Sequence, residues 1–338
     1  MRRRRVVCIG GGTGQSQVLR ALSRHPLDIT ALVGVTDNGG HSGLLREIFG
    51  IPQVGDVRNC LASLADDSNL FTDLLQYRFR EGSLDGVSLG NLLVVALLRL
   101  KGSLSAAIDA LARQLGVPHR ILPVSDSSTH ICAELADGRV VYGEWEIMQR
   151  EPRVPVRRLF HHPAVDCHPE AVRAIAHADM IVFCPGSFLT GIISAILPRG
   201  IQTAIRVSRA VKAQVCNIMT QPGQTDDFSA RDHAEILAAY LGSPPDVFVV
   251  NSRRPPEPWL RLYRKEGSTP VRLDLDGFRG IRVVRRDLLE PAGKDVLTQY
   301  VRSGSFRRQG LHFIRHDPEK LGRLLYEVAK SPATGRSP

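Results

Sequence analysis

The feature that most constrains the fold is a glycine-rich loop at residues 10–14, set between an apolar run and a helix-like stretch. The run "RVVCIG" predicts a buried strand, and "QSQVLRALSRH" predicts a helix. Gly10 and Gly12 fit the first two positions of the G-x-G-x-x-G dinucleotide fingerprint, but Gln15 stands where the third glycine belongs. A Walker-type loop would need Gly-Lys-Ser/Thr, and no lysine is present. The loop therefore predicts a phosphate site of neither standard class.

The alternation of apolar runs and amphipathic stretches continues along most of the chain. The segments "DITALVGV", "MIVF", "AVKAQV" and "DVFVVN" predict further buried strands, with helices between them. Such alternation indicates a mostly parallel sheet with helices on both faces. From about residue 119 to 160 the pattern changes to apolar–polar alternation around the hairpin signal Asp137-Gly138. This stretch predicts a small antiparallel insertion.

The composition restricts the class of protein and of partner. With 338 residues, 43% of them hydrophobic, the chain can bury a sizeable core. Its six cysteines have no C-x-x-C spacing, which argues against structural zinc and favours a reducing, cytoplasmic location. No run of 18 or more apolar residues occurs, so no membrane span is expected.

The formal net charge of +10 favours an acidic partner such as a nucleotide, a phosphate, a nucleic acid or an anionic membrane. Nucleic acid is not the expected partner, because the arginine-rich stretch 253–286 lacks interleaved aromatic residues and no nucleic-acid-binding signature occurs. The role of that stretch stays open. The four arginines that follow Met1 are expected to be a solvated tail rather than an anion site.

The candidate ligand groups lie in the loops that follow the predicted strands. In an open α/β sheet these loops share the edge where ligands bind. They are rich in Gly, Ser, Thr, Asn and Gln, at residues 10–14, 36–43, 185–187, 217–223 and 251. Two glycine-rich loops at successive crossings favour phosphate binding over plain turns, because backbone N–H groups and a helix N-terminus can face an anion.

Asp37 in the second loop has three interpretations. Its distance from the first loop suits an acidic residue that holds a ribose hydroxyl. It could equally form an Asx turn in Asp-Asn-Gly-Gly, or act as a carboxylate ligand of Mg²⁺ bridged to phosphates. Asp56 and Asn91 are expected at helix starts, where capping is the plain interpretation, and His161 and His162 are expected in a solvated loop.

The loops taken together resemble the CofD-like family. The segments that carry the resemblance occur in the family's order: "IGGGTG", "TDNGGHSG", "GDVRNCL", "YRF", "SLGNLL", "PGSFLTGI", "NIMTQPGQT", "DHAEIL" and "IRHDP". This family includes the 2-phospho-L-lactate transferases and the bacterial gluconeogenesis-factor (YvcK-like) proteins. "NIMTQPGQT" and "IRHDP" are similar to the second branch.

The resemblance implies a Rossmann-like three-layer sandwich with a mostly parallel sheet and a small antiparallel insertion. It implies a single domain over residues 1–335, with a core at about 6–118 and 165–251, the insertion at about 119–160, and a C-terminal segment, 252–330, closing on the site. The function implied is a cytoplasmic regulator that binds a nucleotide diphosphate of the UDP-sugar type and links carbon metabolism to cell shape and envelope homeostasis.

The resemblance also assigns site residues. The ligand-binding positions are Gly11, Gly12, Thr13, Gly14, Asp37, Asn38, Gly39, Asn59, Asn91, Gly186, Ser187 and Arg315. Asp37 is the candidate metal residue, Mg²⁺ is the cofactor considered, and the oligomer considered is a homodimer. Asn38 departs from the usual Asp-Asp-Gly-Gly, which lowers the local negative charge. The alternative function is a magnesium-dependent transferase, and no catalytic residue is assigned.

Overall fold

The computed structural model describes residues 2–151, 153–274, 280–291 and 313–331. The strands are β1 (Arg4–Gly10), β2 (Leu27–Val33), β3 (Arg120–Pro123), β4 (His130–Leu135), β5 (Val140–Tyr142), β6 (Val156–His162), β7 (Met180–Phe183), β8 (Val211–Val215), β9 (Val247–Asn251) and β10 (Arg282–Arg286). The helices of the first half are α1 (Gly12–Ser23), α2 (Gly40–Phe49), α3 (Gly55–Leu64), α4 (Leu70–Gln76), α5 (Leu89–Lys101), α6 (Leu104–Gln114) and α7 (Glu144–Gln149). Those of the second half are α8 (Pro169–Ala176), α9 (Ile201–Val207), α10 (Ala230–Leu241), α11 (Glu257–Lys265) and α12 (Pro318–Lys330). A 3₁₀ turn spans Gly82–Leu84, and a π-helical turn spans Phe188–Ile193.

The main sheet has seven strands in the order β10-β9-β8-β7-β1-β2-β3, and all of its pairs are parallel. From β1 the chain proceeds outward to β2 and β3, and from β7 it proceeds the other way to β8, β9 and β10. The strand order therefore reverses between β1 and β7. In doubly wound sheets a crevice for ligands forms at this switch point, outside the carboxyl ends of the strands.

The helices form two groups. One group includes the helices of the connections from β1 towards β3, and the other includes those of the connections from β7 towards β10. Helices α1, α3 and α12 pack together and against β1 and β2, while α8, α9 and α10 form a second group. Because parallel crossovers are right-handed, connections that run in opposite directions place their helices on opposite faces of the sheet. The core lies between these layers, around fully buried side chains such as Ile9, Leu32 and Phe183. The expected three-layer α/β fold is confirmed.

The antiparallel part is the three-stranded sheet β5-β4-β6, which the hairpin at Asp137-Gly138 begins. It spans residues 130–162, and the expected insertion from about 119 starts too early. Arg120–Pro123 instead pairs with β2 as the edge strand of the main sheet. Sequence pattern does not separate the two cases, because a short apolar strand looks the same in either sheet.

The C-terminal segment does not behave as one unit. Strand β10 extends the main sheet beside β9, and α12 packs on α1. Asp317 caps α12, accepting hydrogen bonds from the backbone N–H groups of Glu319 and Lys320. Residues 292–312, including part of the strand predicted before Arg315, lie outside the described residues. Among the described residues, no single helix is long and apolar enough to cross a membrane, and α5 and α6 pass that test only as a pair bent by 118°.

Candidate nucleotide site at the switch point

Two loops meet at the switch point between β1 and β7. Gly14, in the first turn of α1, lies directly against the carbonyl group of Pro185, which follows β7. Asn217, after β8, holds the second loop in place: its Oδ1 accepts from the Gly186 N–H at 2.9 Å, and its Nδ2 donates to the Gly186 carbonyl at 2.8 Å. Strand pairing and these contacts thus bring three strand-end loops together.

A cavity of about 110 Å³ lies beside these loops. It is lined by Gly11, Gly12, Gly34, Thr36, Asp37, Asp56, Glu144, Ser187, Thr190 and Gly191. Four of the predicted site residues, Gly11, Gly12, Asp37 and Ser187, are among them. The cavity therefore combines the glycine-rich loop expected for phosphate with three carboxyl groups, two of which sequence reasoning did not assign to the site.

Asp56 lies against the glycine-rich loop. Its carboxylate accepts a hydrogen bond from the backbone N–H of Gly12, and any side chain at Gly11 would collide with it. Gly12 adopts a left-handed φ of 62°, which turns the chain into α1 at little cost for glycine. In the structure, an internal carboxylate thus faces the N-terminus of α1, where an anion is favoured.

Gln15 explains why the loop departs from the dinucleotide fingerprint. Its side chain is fully buried, and its Nε2 donates to the carbonyl oxygens of Cys8 and Leu32, both at 2.9 Å. The amide therefore ties α1 to both β1 and β2. The third glycine of the fingerprint serves close packing of helix on strand, and here hydrogen bonds hold that junction instead.

Asp37 lines the cavity and also shapes its own loop. Its Oδ1 accepts from the backbone N–H of Gly39 at 2.8 Å, which is the Asx turn considered from sequence. Its Oδ2 accepts from Gln53 Nε2 at 3.4 Å, and Gln53 Oε1 in turn accepts from the Asp56 N–H at 3.3 Å. Gln53 therefore links the two aspartates, and the turn and site interpretations of Asp37 are compatible.

Glu144 reaches the cavity from α7, at the end of the β4–β5 hairpin. Thr190 Oγ1, from the π-helical turn, donates to its Oε1 at 2.7 Å. Burial and the charges of Asp37 and Asp56 raise the pKa of Glu144 well above its ordinary value. The antiparallel insertion therefore supplies one wall of the site.

The electrostatics of the cavity are set by its crowded carboxyl groups. Loss of solvation and then the charge of Asp37 raise the pKa of Asp56 to about 7. Two buried arginines flank the group. Arg46 donates to the carbonyl oxygens of Thr36 (2.9 Å) and Thr129, and Arg58 Nε donates to Asn91 at 3.3 Å. Their charges partly offset those of the carboxylates.

A buried polar chain connects the cavity with the antiparallel sheet. Thr36 Oγ1 and Ser194 Oγ are 2.6 Å apart, and Ser194 Oγ lies 3.0 Å from His161 Nε2. His161 is in β6 and only 7% exposed, so its expected placement in a solvated loop is wrong. Burial, assisted by the Arg46 charge, lowers the pKa of His161 to about 4, which keeps the ring neutral.

Asn38 lies at the rim and holds α7 to the second loop. Its Oδ1 accepts from the backbone N–H of Trp145 at 2.8 Å, and its Nδ2 donates to Glu146 Oε2 at 3.0 Å. An aspartate at this position could make only the first of these bonds. Asparagine in place of the second aspartate of Asp-Asp-Gly-Gly thus provides a hydrogen-bond donor for the carboxylate of Glu146 on α7.

The other predicted residues are more distant from the cavity. Thr13 is exposed in the first turn of α1, and Asn59 is half-buried on α3. Asn91 is buried and connects Arg58 with Ser42, to which it donates at 3.2 Å. Arg315 forms an ion pair with Glu290, so its contact with a ligand stays a prediction.

The cavity offers only a few side-chain oxygen atoms that could bind a metal ion. Among the described residues, no cluster of three or more His, Cys, Asp or Glu side chains is arranged to hold a metal by itself. Asp37 and Asp56 nevertheless face the same cavity, beside the glycine-rich loop. Mg²⁺ commonly uses one or two carboxylates together with substrate phosphates and waters, so these two residues fit a cation that arrives with a phosphate ligand.

Comparison with known proteins agrees with this architecture. The family described as 2-phospho-L-lactate transferase CofD matches residues 6–289. A Thermotoga maritima relative is 41% identical over 327 residues, covering 96% of this chain and 99% of its own. The Bacillus subtilis protein named gluconeogenesis factor is 37% identical, with 96% and 98% covered.

A solved structure extends the comparison to the fold. The crystal structure of a UPF0052 family member from Bacillus halodurans superposes with a TM-score of 0.87 at 33% identity, covering 96% of this chain and 99% of that one. Sequence and structure therefore agree over nearly the full length. The chain belongs to the CofD family and is a relative of the gluconeogenesis factors.

Proposed function

We propose that the chain binds a nucleotide diphosphate of the UDP-sugar type together with Mg²⁺, and acts as a cytoplasmic regulator that links carbon metabolism to cell shape. The observation that carries the proposal is the cavity at the switch point, which joins a glycine-rich helix N-terminus to carboxyl groups. The N-terminus favours the diphosphate, because its N–H groups and dipole attract anions. The name of the Bacillus subtilis relative supports the regulatory role.

Charge explains why a cation belongs in this proposal. Asp37, Asp56 and Glu144 line the cavity, and ionised carboxylates there repel a diphosphate. Asp37 and Asp56 would hold Mg²⁺, which neutralises phosphate charge when it is bound. The raised pKa of Glu144 favours its protonated form, which can donate a hydrogen bond to an oxygen of the ligand.

Backbone and side-chain groups from two loops would orient the ligand. The backbone N–H groups at the start of α1 orient the phosphates, and Ser187 offers a hydroxyl from the opposite loop. The closely packed loops at Gly14 and Pro185 leave no flexible side chain between these two walls. The site is therefore organised to hold a ligand in one position.

A transferase function is the second candidate, and one observation favours it. The pKa of Asp56 is about 7, which suits a group that accepts a proton from an acceptor hydroxyl near neutral pH. Transfer of a phosphorus-containing group depends mainly on positioning and charge stabilisation, so it needs no nucleophile triad.

The test measures thermal stability and binding heat with UDP-N-acetylglucosamine, UDP-glucose, UDP, GDP and NAD⁺, each with and without MgCl₂. At a ligand concentration of 100 times Kd the expected stabilisation is about 2.7 kcal/mol. Asp37→Asn should remove the Mg²⁺ dependence, while Asp109→Asn, on the exposed face of α6, should not. No stabilisation by any nucleotide diphosphate would contradict the proposal.

Phosphorus NMR of the recovered ligand separates the two functions. A regulator returns the nucleotide diphosphate intact after incubation with Mg²⁺ and candidate acceptors that carry a free hydroxyl, such as lactate and other simple hydroxy acids. A transferase releases a nucleoside monophosphate or diphosphate at a rate that Asp56→Asn lowers.

A further inference from the structure

A second and larger cavity lies at the other end of the main sheet. It measures about 510 Å³ and opens between the amino-terminal residues of β1, β2 and β3, the turn before β3, and helix α8. Arg5, Asp28 and Arg120 come from the starts of those strands, whereas the switch-point cavity lies at their carboxyl ends. The two cavities are therefore separate.

The floor and walls of this groove differ in character. Val7, which is 2% exposed, and its register partner Thr30 lie side by side on the same face of the sheet and form the floor. Charged and titratable side chains surround it, and they are Arg5, Asp28, His119, Arg120, Glu170, Arg173 and His177. Apolar area with a few converging polar groups is the usual character of a small-molecule site, and the volume is in the usual range.

Of the N-terminal arginines, Arg5 lines this groove, while Arg2, Arg3 and Arg4 are exposed to solvent, as expected for a solvated tail. Arg4 already belongs to β1, and Arg2 and Arg4 both pair with Asp179, at 2.7 and 3.4 Å. Side chains alternate along an extended chain, so Arg3 and Arg5 lie on the other side. Arg5 lines the groove, and Arg3 is near enough to His119 to lower its pKa.

Three guanidinium groups (Arg5, Arg120 and Arg173) and two carboxylates (Asp28 and Glu170) line this groove, so one positive charge is in excess. Glu170 is shared between Arg120, at 2.9 Å, and Arg173, so one carboxylate serves two guanidinium groups. The Arg5 guanidinium has no hydrogen-bond or ion-pair partner within the part of the chain that the structure describes, because Asp179 contacts only the Arg5 backbone. Guanidinium groups bind carboxylate and phosphate oxygens bidentately.

We propose that this groove is a second ligand site, and that it takes a small organic anion with two or more negative charges, such as a phosphorylated or polycarboxylate metabolite. Arg5 supplies the free cationic contact, Arg120 and Arg173 supply shared ones, and the apolar side chain of Val7 contacts the carbon skeleton.

The experiment titrates pyrophosphate, 3-phosphoglycerate and citrate into the protein by calorimetry, in the Gly12→Ala background that impairs the switch-point site. Saturable binding with a Kd below about 1 mM is expected for at least one probe. Preference for pyrophosphate, 3-phosphoglycerate or citrate assigns the occupant to inorganic phosphates, phosphorylated metabolites or polycarboxylates.

Two variants place the binding in the groove. Arg5→Gln should weaken it about tenfold or more, since a charge-assisted contact is lost while every described ion pair remains. Ala174→Leu, which fills the groove from α8, should block it, whereas Ala176→Leu on the exposed end of the same helix should not. No saturable binding, or binding that Arg5→Gln and Ala174→Leu both leave unchanged, overturns the proposal without affecting the nucleotide site.

Discussion

Gly14 of α1 and the carbonyl group of Pro185 lie so close together that no side chain fits between them. Gly14 follows β1 and Pro185 follows β7, the two strands between which the sheet order reverses. The contact therefore fixes the geometry of the switch point itself. It makes glycine at position 14 a requirement of packing, whereas Gly12 is required by its backbone conformation.

Replacing these two glycines by alanine should have different costs. Gly14→Ala places a methyl group on backbone atoms, which cannot rotate away, so we expect a loss of about 3 kcal/mol in the free energy of unfolding. Gly12→Ala meets no atom closer than 4.0 Å, and we expect about 1 kcal/mol from its left-handed φ. Urea denaturation measures both. Equal stabilities of the two variants would show that the Pro185 loop moves freely.

Asp56→Asn should stabilise the protein at alkaline pH. The pKa of Asp56 is raised in the folded state to about 7, above its ordinary 3.8. Its contribution to stability is therefore fully present below the unfolded pKa and is lost as pH rises through about 7. Asparagine cannot ionise, so the variant should exceed the wild type by roughly 2 kcal/mol at pH 8, and by less at pH 5. A pH-independent difference in thermal unfolding would contradict this account.

The carboxyl group of Asp56 should make the affinity for Mg²⁺ depend on pH. Mg²⁺ binds the ionised carboxylate and has to displace a proton wherever Asp56 is protonated. In the presence of saturating UDP, the affinity for Mg²⁺ should rise between pH 6 and 8 and level off above that range. Calorimetry in buffers of different ionisation enthalpy counts the released protons. The Asp56→Asn variant should release no proton from this position when Mg²⁺ binds, and the Asp109→Asn variant should behave like the wild type.

Asn38→Asp should loosen α7. The substitution keeps an acceptor for the Trp145 N–H but loses the donor to Glu146 and places two carboxylates side by side. We expect a loss of about 1 kcal/mol, because the pair is exposed to solvent. Faster hydrogen exchange of the Trp145 amide reports the change. Adding Glu146→Gln restores a donor across the contact and should recover the loss, and a double variant no better than Asn38→Asp would reject the proposed pairing.

Arg315 can be tested against its present partner. If Arg315 must leave Glu290 to contact phosphate, Arg315→Ala should weaken nucleotide binding by roughly 2 kcal/mol, and Glu290→Gln should strengthen it by releasing the guanidinium. If the ion pair is only structural, neither variant changes the affinity. Calorimetric Kd values for both, with Arg139→Gln on the distant hairpin as control, decide between the two.

Local signals in the sequence predicted much of the fold. Alternating apolar and amphipathic runs indicated the parallel sheet, and Asp137-Gly138 indicated the hairpin. Ser229 and Asp232, three positions apart, form the capping box of α10. Each of these depends on residues a few positions apart. The glycine-rich loops were likewise readable, because their composition follows from local turn geometry and from the shared edge of parallel strands.

The composition of the site was less readable. Glu144 follows a hairpin with no motif around it, and Asp56 looked like an ordinary helix cap, yet both line the cavity. Arg46 belongs to an amphipathic helix and His161 was expected in a solvated loop, yet both are buried. Only their partners on distant segments define these roles.

The sequence by itself therefore determined the order of strands and helices, the loops that gather at one edge, and membership of the CofD family, since these depend on short-range pattern and motif order. The tertiary structure decided which charges face one another. It folded the antiparallel insertion over the switch point, so that Glu144 reached Asp37 and Asp56. The physical reason is that burial and the charges of residues far away in sequence set the pKa of a carboxyl group, and no local pattern encodes that approach.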